Sequence, residues 1–218
     1  MDGTGAMVES LRFQLVGCLG EALPGPAIQQ RFAPELAYGR HAGPPAVGAR
    51  QAAVLVLLYP HEGEWFVPTI VRTQAMRDHA GQIALPGGSV DAGETPAMTA
   101  LREFEEELGA RGEQIDLLGR LSPIFVFNSN FYVNPYLGIC PQRPDFRPSP
   151  GEVAELIEIP LRGLISPENH ASHLIHRRGV SFRAPHIQVA HHRVWGATCM
   201  ILAEVMELVR RCSALGEA

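Results

Sequence analysis

Residues 88–110 read GSVDAGETPAMTALREFEEELGA, and this stretch organises the reading of the rest of the chain. Thr95 is a good helix N-cap, Pro96 suits the first helical position and Gly109 stops the run, so the pattern predicts a helix from about Pro96 to Leu108. Ala97, Leu101, Phe104 and Leu108 recur at i, i+4, i+7 and i+11 and form one apolar stripe for a core. At about 100° per residue, Glu103, Glu106 and Glu107 project within about a quarter of the circumference, while Glu105 points elsewhere. Four acidic residues within positions 103–107 repel one another by roughly 0.2–0.5 kcal/mol per pair. A bound divalent cation turns that repulsion into a ligand set. Hard cations such as Mg²⁺ take oxygen ligands and are commonly shared between a few carboxylates and the phosphates of a substrate, so phosphate chemistry is expected.

A Glu-rich helix face alone is most often a solvated surface. Here Gly88, Glu94 and Arg102 also stand at fixed offsets from the glutamates. The whole string resembles the signature box of the Nudix hydrolases, G-x5-E-x7-R-E-U-x-E-E-x-G-U with U a bulky apolar residue. Gly88, Glu94, Arg102, Glu103, Glu106, Glu107 and Gly109 match it, with Phe104 at the first U position and the smaller Ala110 at the last. The resemblance implies a metal-dependent pyrophosphohydrolase that uses Mg²⁺ or Mn²⁺ and cleaves a nucleoside diphosphate linked to some group X. It implies Glu103 and Glu107 as metal ligands, and Glu106 as a third ligand or the residue orienting the attacking water. Glu94, in the loop, is expected to pair with Arg102 and hold the loop to the helix. Gly88, lacking a side chain, can bring its carbonyl near the metal. Many such enzymes recruit a further carboxylate or base from outside the box, and Glu152 and Glu155 are the candidates, each equally compatible with a solvent-facing position.

Immediately upstream, residues 72–88 read RTQAMRDHAGQIALPGG and resemble the coenzyme A pyrophosphatase signature, LLTxR[SA]x3Rx3Gx3FPGG. Arg72, Arg77, Gly81, Gly87 and Gly88 are in register. Pro68, Thr69 and Ile70 replace L-L-T, Thr73 replaces Ser or Ala, and Leu85 replaces Phe. Coenzyme A carries a 3′-phosphate besides its diphosphate, and planar guanidinium forks suit such oxygens. Arg72 and Arg77 are therefore expected to bind substrate, together with His79, Gly81 and Gly87, although a salt bridge to the acidic box is the plain alternative for Arg77. Residues 128–135 (NSNFYVNP), Glu152-Val153 and residues 195–198 (WGAT) also look like segments of bacterial coenzyme A pyrophosphatases. The implied reaction gives 3′,5′-ADP and 4′-phosphopantetheine from coenzyme A or its thioesters. The alternatives keep the fold and change the use: ADP-ribose, NADH or a dinucleoside polyphosphate as substrate, or a nucleotide-binding module that does not cut.

The chain of 218 residues, 46% hydrophobic and 19% charged, is of a size for one packed domain plus an extension. No apolar run reaches the length needed to cross a bilayer, so no membrane partner is expected. A net charge of −5, without a basic stripe interleaved with aromatics, disfavours nucleic acid. Cys18, Cys140, Cys199 and Cys212 are scattered in apolar contexts and read as free thiols in a reducing, cytoplasmic setting. The N-terminus lacks the pattern of a secretion signal.

Residues 1–50 are expected to be an N-terminal extension, residues 51–212 the hydrolase domain and residues 213–218 a tail. Met1 to Ala6 read as a disordered start. Val8, Leu11, Leu15, Val16 and Leu19 have helical spacing, so a short amphipathic helix is expected over Val8 to Ala22. It could cap the core or a partner, and a homodimer through this extension is compatible with the sequence. Residues 27–50 read as an irregular connection with a short helix near Ala27 to Arg31. Strands are expected at Ala52 to Tyr59 and Trp65 to Val71 as a hairpin. Others follow at Ile83 to Leu85, Ile115 to Leu121, Phe131 to Ile139, Val153 to Pro160 and a hairpin across Ser172 to Phe182. A last helix should run from Trp195 or Gly196 to Cys212. These elements predict an α/β/α sandwich with a mixed sheet, the architecture the resemblance also implies. His170, His173, His176, His186, His191 and His192 crowd the last third. With no helical HxxxH or HExxH among them, they are expected to be exposed or hydrogen-bonded.

Overall fold

The computed structural model describes residues 3–73, 81–177 and 179–212. Its centre is β1 (Arg50–His61), which turns through Glu62 and Gly63, both at positive φ, into β2 (Glu64–Arg72). β3 (Ile83–Ala84) pairs with β2, and β4 (Gly87–Ser89) pairs antiparallel with the first half of β1. Helix α3 (Pro96–Leu108) then leads to β5 (Asp116–Arg120), β6 (Ile124–Val126), β7 (Phe131–Ile139) and β8 (Val153–Pro160). β7 runs parallel to β1 from Arg50↔Phe131 to Leu58↔Ile139, and β8 runs antiparallel to β2, giving a mixed eight-stranded sheet. After the short helix α4 (Leu161–Ile165), β9 (His170–Arg177), β10 (Val180–Val189) and β11 (His192–Trp195) form a separate three-stranded antiparallel sheet, and α5 (Gly196–Arg211) is the last described helix. The expected strands and the final helix are all present. The short strands β4, β6 and β11 lacked a sequence pattern long enough to mark them.

The continuous apolar run of β1 has a simple cause, because both of its faces are covered. Ala53, Leu55, Leu57 and Tyr59 pack with Ala100, Phe104 and Leu108 of α3, whereas Ala52, Val56 and Leu58 point into the core built on α5. Helices therefore cover both sides of a mixed sheet, as expected. The buried face of α3 is slightly rotated from the predicted stripe: Ala100, Phe104, Glu107 and Leu108 are buried, and Ala97 and Leu101 are half-exposed. A carboxylate thus occupies a place at the edge of the core.

The N-terminal helix α1 (Gly3–Leu19) begins earlier than the expected Val8 and within the stretch read as disordered. Small polar residues carry no periodicity, so its first turn was not legible. Val8, Leu11 and Leu15 are buried in the same core as α5, so this apolar face caps the protein's own core, while Phe13 is exposed. Residues 20–50 are more structured than an irregular linker. The helix α2 (Gly25–Gln29) is followed by three short 3₁₀ turns at Gln30–Phe32, Glu35–Ala37 and Arg40–Ala42. Glu204 of α5, fully buried, fastens this segment by accepting from Gly25 N at 3.3 Å, Gln29 Nε2 at 3.3 Å, Ser122 N at 3.1 Å and Ser122 Oγ at 2.7 Å. Four donors make burial of a carboxylate tolerable. All four cysteines are free, and Cys140, Cys199 and Cys212 are buried. Among the described residues no helix is long and apolar enough to cross a membrane.

Candidate active site

Helix α3 starts where its residues predict. Thr95 is extended and its hydroxyl accepts from Met98 N at 3.3 Å, and Gly109, at φ 70°, donates to Glu105 O at 2.8 Å. The loop before the helix is tied to it by Glu94, whose carboxylate accepts from Arg102 Nε at 2.7 Å, Arg102 Nη2 at 3.0 Å and Thr99 Oγ1 at 2.7 Å. The guanidinium and the hydroxyl together hold the Glu94 carboxyl down to about 2. Arg102 also reaches Glu103 Oε1 at 2.9 Å and Glu106 Oε2 at 3.0 Å through Nη1. One guanidinium therefore holds three carboxylates, and its own proton is bound more tightly than usual for arginine.

Glu107 points the other way, into the sheet. Its side chain is 1% exposed, Oε2 accepts from Gly87 N at 2.9 Å, and Arg72 Nη1 lies 3.8 Å from Oε1. Burial dominates over these two attractions and, with Glu103 and Glu152 nearby, pushes the Glu107 carboxyl up to about 8. Burial also raises the Glu103 carboxyl. Gly87 is required here by close approach to backbone, and Gly88 lies against a carboxylate. A Cβ on Gly87 would run into Ala53 O and Val54 Cα of β1, and one on Gly88 would overlap the Glu103 carboxyl. The missing side chain at Gly88 thus leaves space for the Glu103 carboxyl.

Carboxyl oxygens of Glu103, Glu107 and Glu152 lie within 4.8 Å of one another. Glu103 and Glu107, the expected ligands, are both in this group; Glu106, expected as a third ligand or as the residue orienting the attacking water, is not, and the outside candidate Glu152 is. Glu106 is 56% exposed and bonded to Arg102 on the cleft wall, and Glu152 takes the third place. Glu152 comes from the loop before β8, where its carbonyl accepts from Thr73 N at 3.1 Å and its N–H donates to Ser149 O. Spacing along one helix could not reveal that. Glu155, the other outside candidate, lies apart from this group. Three convergent carboxylates, one of them buried with its charge incompletely offset, have the donor chemistry of a hard divalent cation site. Glu103, Glu107 and Glu152 are the residues that could hold it.

The carboxylates line a cleft of about 950 Å³, at the upper end of the usual size of a small-molecule site. Arg72, Gly87, Gly88, Glu103, Glu106 and Glu107 line it. Gly81 does not; at φ 69° it donates to Arg72 O at 3.0 Å and shapes the backbone there. Arg77 and His79 lie outside the described residues. The rest of the wall was not anticipated as one surface. It comprises Pro34, Leu36 and Arg40 of the N-terminal segment, Phe125 and Phe127, Phe182 of β10, and Trp195 to Thr198 at the start of α5. Arg40 stacks on Phe127 at 3.9 Å and Arg50 on Phe131 at 3.9 Å.

A family model described as the NUDIX domain matches residues 49–176. The uncharacterized Nudix hydrolase NudL of Yersinia pestis is 34% identical over 164 residues, which cover 73% of this chain and 80% of that protein. NudL of Yersinia pseudotuberculosis matches to the same extent. Among solved structures, a MutT/nudix family protein from Enterococcus faecalis superimposes with a TM-score of 0.50 over 85% of this chain and 73% of that one. At 16% identity that likeness is one of fold.

Proposed function

The chain belongs to the Nudix hydrolase family, and from that premise we propose that it cleaves the diphosphate linkage of coenzyme A or its thioesters, using Mg²⁺ or Mn²⁺. The observation that carries this reading is a convergence. Segments far apart in sequence, each resembling coenzyme A pyrophosphatases, meet on one cleft: Arg72 and Gly87 upstream of the box, Asn128, Ser129, Phe131 and Val133, Glu152, and Trp195 to Thr198. The cleft also has the composition that coenzyme A requires. Its carboxylates offer a cation site, its aromatic and apolar lining suits a pantetheine arm, and Arg40, Arg50 and Arg177 are exposed guanidinium groups along its wall that can meet a 3′-phosphate.

A divalent cation at the carboxylates would draw charge from the phosphate oxygens and make a bound water more acidic. Arg72, 3.8 Å from Glu107 and lining the cleft, would balance the charge of the diphosphate. Glu106, exposed and hydrogen-bonded to Arg102, would orient the attacking water and accept its proton, a role its exposure and that hydrogen bond support. The water oxygen forms a bond to one phosphorus as the bridging P–O bond breaks, leaving two phosphomonoesters. Glu94 and Arg102 are positioning residues that fix the loop carrying Gly88 against α3.

Incubation of coenzyme A with the chain and Mg²⁺ should release 3′,5′-ADP and 4′-phosphopantetheine, and chelation of the metal should abolish the reaction. Intact coenzyme A after prolonged incubation with either metal, while another nucleoside diphosphate derivative is hydrolysed, would reject the substrate assignment and leave the chemistry standing.

A further inference from the structure

The geometry points to a second metal site, for a borderline transition ion such as Zn²⁺, formed by Glu155, His191 and His192. Glu155 is an exposed residue of β8, His191 lies in the turn between β10 and β11, and His192 opens β11. One ligand atom from each lies within 4.8 Å of the other two. None of the three lines the cleft. Along β8, Glu155 is at most about 10 Å from Glu152 at roughly 3.3 Å per residue, so the site is a neighbour of the carboxylate group and separate from it.

The decisive atom is His192 Nε2. It has no solvent contact and no hydrogen-bond partner, although Glu155 Oε2 is only 3.4 Å away. Buried imidazole nitrogens without partners are costly. Two ligands bound tetrahedrally to one Zn²⁺, with bonds of about 2.0–2.1 Å, stand about 3.4 Å apart. The spacing that misses a hydrogen bond is therefore the edge of a Zn²⁺ coordination tetrahedron.

The surroundings hold these ligands in place. The His191 and His192 rings are 3.8 Å apart between centroids. The turn bearing them is clamped by Gln188, whose Nε2 donates to Ala190 O and His192 O, both at 2.8 Å. Two imidazoles and one carboxylate select Zn²⁺ or a similar ion over Mg²⁺, which prefers oxygen throughout. Three protein ligands leave the fourth position for water. Because Glu155 belongs to the large sheet and the histidines to the three-stranded one, the bound ion fastens one sheet to the other.

Titration of the untagged full chain with Zn²⁺, in a large excess of Mg²⁺ to occupy the carboxylates of the cleft, tests this by calorimetry alongside thermal melting. The wild type should bind one Zn²⁺ and melt at a higher temperature with it. E155Q, altered at an exposed side chain that leaves the core intact, should lose affinity by about 10–100-fold together with the shift in melting, as should H192A; E107Q should keep both. Wild-type affinity in E155Q and H192A, no Zn²⁺ uptake by the wild type, or loss of uptake in E107Q would each overturn the assignment.

Discussion

The stretch from Gly87 to Leu108 and the rest of the cleft wall are built on opposite plans. The first is local. Glu94, Arg102, Glu103, Glu106 and Glu107 lie within one turn and helix, and their hydrogen bonds are mostly to each other. The second is assembled from residues 34–41, 125–133, Phe182 and the start of α5, none of which has a place until the sheet forms. We read this as a division of labour in which the local stretch supplies the chemistry of the diphosphate, and the assembled wall selects what is attached to it.

The largest expected effect lies in the local stretch. Replacing Glu107 by Gln should lower kcat/KM by about 10²–10³-fold, the scale for removing one preorganised group that meets transition-state charge. The same change removes a buried carboxylate that is costly to ionise, so the melting temperature of the metal-free chain should not fall. Activity kept at the wild-type level would break the local half of the account.

Glu152→Gln comes next. Loss of a carboxylate of the cation group should weaken Mg²⁺ dependence by about 10–100-fold, read from activity against metal concentration. If E152Q behaves as wild type while E106Q loses metal affinity, the trio along the helix is the correct one and the assembled trio is not.

On the assembled wall, Phe127→Ala should raise KM for coenzyme A by about tenfold, equal to about 1.4 kcal/mol of binding, with kcat nearly unchanged. A fall in kcat of the same size would show that the wall takes part in the chemical step.

The smallest effect concerns the brace. The Glu94 carboxyl sits near 2 in the folded chain against an ordinary value of 4.5. A lowered folded value means that Glu94 contributes stability above about 4.5, which is lost as pH falls towards 2. E94Q should therefore be less stable at neutral pH, and its difference from wild type should shrink across that window in acid denaturation. A constant difference from pH 6 to pH 2 would mean that the pair with Arg102 does not hold the loop.

The two plans also explain what could be read from the sequence. Thr95, Pro96 and Gly109 fixed α3 at both ends, and the two-faced burial of β1 was visible as an unbroken apolar run. Glu107 was recognisable by spacing, but its burial was not, since the stripe through Ala97 and Leu101 placed the core slightly to one side. Glu152 was one of two equal candidates, because a strand-like run with scattered glutamates says nothing about which one bends towards the helix. The first turn of α1 and the cleft wall at Pro34 to Arg40 were missed because segments of small residues and prolines have no period, and the wall is held by distant contacts such as Arg183 N donating to Glu35 Oε2.

The central claim is that this box serves a cleft selective for coenzyme A, and the ratio of kcat/KM for coenzyme A to that for ADP-ribose, measured with Mg²⁺ in one assay, tests it most directly. A clear preference for coenzyme A or acetyl-coenzyme A is expected. Equal turnover of the two substrates, or a preference for ADP-ribose, would contradict the assignment.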